Sequence, residues 1–128
     1  MKNTLKMNNA EIFSTAVVLK DLCENPDFVL PIKANFYLQK NKTVLLDLAQ
    51  EIENSRTTIF EKYGTLNEEK TGYNFKEEVI DQANRDLEEL LSLVQEIDLY
   101  MINLEDFKDI KLNSQQMGAL MLMIDEIE

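Results

Sequence analysis

Between Pro31 and Gly64 the chain runs without a single glycine or proline. Nothing in that stretch breaks a helix, and one α-helix of roughly 30 residues would be roughly 45 Å long. Ile32, Phe36, Leu45, Leu48, Ala49, Ile52, Ile59, Phe60 and Tyr63 are expected on its buried side. Pro31 suits the opening of such a helix, where its missing N–H is no loss, and Gly64 suits its C-cap. The polar patch QKNKT, residues 39–43, is where a kink or break would fall. Two prolines and three glycines in 128 residues also argue against a loop-rich β-sandwich.

The flanking segments extend this helical reading. Asn8 or Asn9 is a suitable N-cap for a first helix, with Glu11 in its first turn to complement the helix dipole. Ile12, Phe13, Ala16, Val17, Leu19, Leu22 and Cys23 give it one apolar face, and the chain leaves the helix near Glu24, ahead of Pro26. The polar stretch TLNEEKTGYN reads as a surface connection. A third helix is predicted over residues 75–94, with Phe75, Val79, Ile80, Ala83, Leu87, Leu90, Leu91 and Val94 inward. Asp81 and Arg85 are spaced for an exposed ion pair on it.

The period then changes from 3.6 to 2. In EIDLYMINL, Ile97, Leu99 and Met101 alternate with Asp98, Tyr100 and Ile102, as in a strand. Its partner should be the N-terminal TLKM stretch. Asn113 or Ser114 would cap a last helix reaching Ile127. The predicted fold is mainly α (α+β), one acidic domain over residues 1–128. A long antiparallel helical hairpin, about 31–63 and 75–95, is flanked by a first and a last helix. A small two-stranded ribbon joins residues near 4–7 to those near 97–102.

The net charge of −11 is confined to one half of the chain. Residues 1–63 hold eight bases and eight acids, whereas residues 64–128 hold five bases and sixteen acids. Direct binding to nucleic acid or an anionic membrane surface is therefore not expected, since phosphate contacts need basic patches. The longest apolar run, Ala119 to Ile124, is six residues, well below the ~20 needed to span a bilayer. No signal-peptide-like apolar region opens the chain. The single cysteine, Cys23, forms no intrachain disulfide and sits in an apolar helical context, so a buried thiol in a reducing compartment is expected.

Catalytic chemistry finds little support. There is no histidine, and neither GxxxxGK[ST], GxGxxG nor an EF-hand loop occurs. No catalytic residue, metal ligand or cofactor site is assigned, although a carboxylate metal site in the acidic half remains a third class of reading. The acids of the third helix, Glu77, Glu78, Asp81, Glu88 and Glu89, are the candidate partner-binding residues. Carboxylates on a rigid helix can imitate nucleic-acid phosphates and enter a basic protein groove, while any solvated helix face also carries acids.

The closing stretch LNSQQMGALMLMIDEIE carries three of the six methionines. Met117, Leu120, Met121 and Ile124 are expected to close the core, with Ile127 at the margin. Leu122 and Met123 are expected outward, available for self-association or a partner.

Several segments in their order also carry a resemblance: LPIKANFYLQKN (residues 30–41), EKYG (61–64), LVQEIDLYMINLEDF (93–107) and LNSQQMGALMLMI (112–124). In these the chain resembles a family of small phage and prophage proteins of low-GC Gram-positive bacteria. The resemblance implies a phage origin and a place in the host cytoplasm, and it supplies no catalytic residues. By analogy it implies a non-enzymatic protein that binds and inhibits a host or anti-phage defence protein, such as a CRISPR effector, through a basic surface on that partner. The alternative is a phage assembly or structural accessory acting by self-association or by binding another phage protein.

Overall fold

The protein is described by a computed structural model covering residues 2–125. Among these described residues it is mainly helical, with four α-helices and small two-stranded sheets. Strand β1 (Lys2–Asn8) leads directly into α1 (Asn9–Glu24), because Asn8 caps the helix. Its side chain accepts from the Glu11 N–H at 2.8 Å, and the Glu11 carboxylate accepts from the Asn8 N–H at 3.2 Å. This reciprocal box satisfies two donors that the first turn leaves free. The helix ends at Asn25, ahead of Pro26.

Helix α2 (Ile32–Tyr63) is continuous through the QKNKT patch. The helix does not break there, and Asn41 within the patch points into the interior, where it bonds the backbone of Tyr100. The buried stripe of α2 is Ala34, Leu38, Asn41, Leu45, Ala49 and Ile52. Ile32 and Phe36, expected inside, lie on the opposite side of the helix and are exposed.

The connection after α2 is more ordered than a polar loop. β2 (Gly64–Leu66) pairs antiparallel with β3 (Tyr73–Phe75), and Lys70 takes the left-handed conformation (φ 59°) in the turn between them. Gly64 is required at this corner, since a Cβ there would lie 2.8 Å from the Phe60 carbonyl oxygen and 3.0 Å from the Phe75 ring. Helix α3 (Glu77–Ser92) is accordingly shorter than expected. Phe75 belongs to β3 and Val94 opens β4 (Val94–Tyr100).

β1 and β4 form the ribbon, with Leu5 opposite Ile97 and Asn8 opposite Val94. Ile97 and Leu99 face the core, while Thr4 bonds Asp98 across the solvent face. The alternation stops at Met101, and Ile102, expected outward, is buried in β5 (Ile102–Asn103). A 3-10 turn (Leu104–Phe107) follows and buries Phe107.

The last helix is corrected most. Asn113 caps α4 (Ser114–Met121) with a second reciprocal box through Gln116, but the helix stops after Met121. β6 (Ile124–Asp125) then runs parallel to β5. Once the chain leaves the helical path, the 100° progression no longer sets side-chain direction. Met123, expected outward, is fully buried, and Leu122 is half-buried rather than pointing away. Met117 and Met121, expected in the core, are exposed. Leu120 and Ile124 are buried as expected, and Ile127 lies outside the described residues. One apolar cluster joins residues of β1, α1, α2, β4, β5 and α4, including Met7, Leu19, Leu45, Leu99, Ile102 and Leu120.

Candidate interaction surface

Helix α3 is anchored along one side and charged along the other. Ala83 is buried, and Leu87, Leu90 and Leu91 are half-buried against the rest of the fold. The Asn9 amide donates to the Leu90 carbonyl at 2.8 Å and accepts from Gln95 at 2.7 Å. Tyr63, at the end of α2, donates its hydroxyl proton to Asp86 at 2.7 Å, and Gln82 donates to the same carboxylate at 2.9 Å. Those two hydrogen bonds, Tyr63 first, hold the Asp86 carboxyl below the usual carboxylate range.

Glu77, Glu78, Asp81, Glu88 and Glu89 are all exposed. At 100° per residue they fall within about a third of the helix circumference, and Glu77 to Glu89 spans about 18 Å of axis. Glu77 and Glu78 also sit in the first turn, where the dipole favours them. Arg85 lies within the same arc, yet the expected Asp81–Arg85 ion pair is not made. Among the described residues the one ion pair is Glu53–Arg56 at 3.1 Å, on α2. The α3 carboxylates therefore face solvent without a cationic partner among those residues.

The tail residues do not join this ridge. Leu122 lines a cleft of about 370 Å³ with Ala10, Thr15, Val18 and Gly118, between α1 and α4, and no residue of α3 lines it. Met123 is withdrawn from any surface, its sulfur 3.4 Å from the Asn41 amide nitrogen.

Other features lay outside the sequence reading. Tyr37 and Tyr100 stack at 4.7 Å between ring centroids, with the Lys2 ammonium 4.7 Å over Tyr100. Beside them a cleft of about 410 Å³ is lined by Lys33, Tyr37, Ile102, Asn103, Asp106 and Asp125. A buried asparagine in the Leu38–Asn41–Leu45 stripe was the one local signal for this corner. A lone polar residue at core spacing needs a partner, and a strand end can provide one. Cys23 is half-buried, and burial chiefly pushes its thiol up, against the opposing pull of Lys42 and Gln39. A raised thiol is a weak nucleophile at neutral pH.

Among the described residues no group of three or more acids and cysteines is placed to share a metal, and no helix is long and apolar enough to cross a membrane. No family model, curated protein or solved structure matches the chain.

Proposed function

We propose that the protein is a non-enzymatic binding module whose α3 acids occupy a basic surface on a protein partner. The observation that carries this reading is the exposed, unpaired row Glu77, Glu78, Asp81, Glu88 and Glu89 on a helix fixed from behind. The five carboxylates form two groups, Glu77, Glu78 and Asp81 and then Glu88 and Glu89, about 10 Å apart along the axis with Arg85 between them. A groove built for a phosphate backbone would accept such a ridge. An antiparallel α2–α3 hairpin would keep it rigid, supported by Tyr63 beside Asp86 and by Ile52 sharing a cleft with Leu91.

The phage resemblance extends the proposal: the partner is a host or anti-phage defence protein, blocked in the host cytoplasm. A nucleic-acid-handling effector of CRISPR type has the basic groove this ridge would fit. The alternative, a phage assembly accessory acting through self-association, draws support from the exposed apolar residues Val29, Ile32 and Phe36.

Affinity capture from infected-cell lysate tests the first reading. The wild-type chain should retain a basic protein at low salt and release it as salt rises, because surface charges are screened beyond about 8 Å at physiological ionic strength. Charge reversal at the five acids should abolish capture while the helical circular dichroism stays unchanged. Capture indifferent to both salt and these substitutions would remove the α3 ridge from the proposal.

A further inference from the structure

A second stretch of the chain is opposite in charge, although Asp106 and Asp125 share a cleft with Lys33, the first of its lysines. Residues 28–46 contain Lys33, Lys40 and Lys42 and no acid, within a chain of net charge −11. Over the same stretch Ile32 is 91% exposed, Val29 71% and Phe36 54%. Ile32 and Phe36 are one turn apart on the outer side of α2, and Lys40 lies 5.4 Å over the Phe36 ring, so charge and apolar area form one surface. Single exposed apolar side chains are ordinary, but Ile32 and Phe36, one helical turn apart, place exposed apolar area side by side, as interfaces do.

The far end of α3 presents the counterpart. Glu88 and Glu89 are followed by Leu93 and Val94, which are 52% and 62% exposed. The first stretch combines exposed apolar side chains with lysines, and the second combines them with carboxylates. A symmetric pairing of the α2 patch with itself would set Lys33 and Lys40 against their own copies, and like charges across an interface are costly. Pairing unlike surfaces avoids that cost.

We propose that the protein self-associates head to tail, the lysine-rimmed Ile32–Phe36 surface of one copy docking on the Glu88–Glu89 and Leu93–Val94 end of α3 in the next. Such an interface uses two different patches, so each copy keeps one free patch and the assembly grows into a ring or an open chain. The proposal shares the α3 face with the reading above but needs no foreign partner, so either can fail without the other. Where both hold, a basic partner and a second copy compete for the same acids.

Sedimentation equilibrium of the full chain decides it, at about 10 mM salt, where screening reaches only beyond about 30 Å, and up to about 1 mM chain. The mass should rise with concentration from the 14.9 kDa of one copy to two copies or more, and fall back on raising salt. Lys33→Glu/Lys40→Glu and Glu88→Lys/Glu89→Lys should each remain single copies. Mixed together they should associate again, the intact lysine patch of one on the intact acids of the other, and the two reversed patches, again opposite in charge, on each other. Ile32→Ser/Phe36→Ser tests the apolar part without changing charge and should also give single copies. A wild-type chain that stays at one copy throughout overturns the proposal. So does a mixture of the two charge variants that fails to pair.

Discussion

The side-chain amide of Asn41 pairs with both backbone groups of Tyr100, accepting from its N–H at 2.7 Å and donating to its carbonyl at 2.9 Å. In the β1–β4 ribbon Tyr100 stands opposite Lys2, and its N–H and C=O point away from β1. Asn41 thus stands in for one residue of a third strand, closing the ribbon edge against α2. The same amide nitrogen lies 3.4 Å from the sulfur of Met123, so one buried side chain ties α2, β4 and the C-terminal segment together.

Replacing Asn41 with leucine should therefore cost more than its change in polarity suggests. Two backbone groups of Tyr100 would lose their partner in an interior site. Leaving such groups unsatisfied costs about 1–3 kcal/mol each, so a loss of about 2–6 kcal/mol is expected. Urea denaturation of the Asn41→Leu variant measures it. A midpoint matching the wild type would show that water or a shifted backbone replaces the amide.

This contact also marks where sequence reading stops. Caps and periods are local, and the caps to within one residue (Asn8 or Asn9, Asn113 or Ser114) and the period-2 stretch around Ile97 and Leu99 were legible for that reason. The exposed α3 acids were legible as well, because the apolar stripe of Ala83, Leu87, Leu90 and Leu91 fixes the opposite face. Asn41 and Tyr100 are 59 positions apart, and nothing near either residue announces the other. The early end of α4 has a similar cause. The Ile102 N–H takes the Met123 carbonyl at 2.7 Å, a tertiary hydrogen bond that competes with continued helix beyond Met121.

Tyr63→Phe should change the acid limb of stability. The Asp86 carboxyl is held below its ordinary value, so its contribution is present above the unfolded pKa of about 3.9 and is lost as pH falls through the lower folded value. Removing the Tyr63 hydroxyl should raise the Asp86 pKa toward the ordinary value, observable by carbon-detected NMR titration. The wild-type and variant stabilities should differ at neutral pH and converge at low pH. An unchanged Asp86 titration would mean that Gln82, with the Lys62 and Arg85 charges, sets it without Tyr63.

At Gly64 the backbone itself forbids a side chain. The added Cβ of Gly64→Ala would approach the Phe60 carbonyl oxygen to 2.8 Å, and that oxygen accepts the hydrogen bond closing α2. Either the cap or the β2–β3 pair must shift, at about 1–3 kcal/mol for a strained small-to-large change. Gly72→Ala is the internal control, since its nearest neighbour would be an amide nitrogen 3.7 Å away. Thermal melts of the two variants should separate clearly, with Gly72→Ala near the wild type.

The three tail methionines should divide by burial rather than by helical spacing. Met123 is fully buried beside Asn41, whereas Met117 and Met121 are 39% and 48% exposed on α4. Met123→Ala should cost about 2–5 kcal/mol, the usual range for emptying a buried methionine site. Met117→Ala and Met121→Ala should cost well under half of that, since much of each side chain already meets water. Ending the chain at residue 112 would remove Leu120, Met123 and Ile124 from the core together and should lower the melting temperature by more than any single change. Larger losses for Met117→Ala and Met121→Ala than for Met123→Ala would mean that α4 continues past Met121 in solution and turns Met117 and Met121 inward.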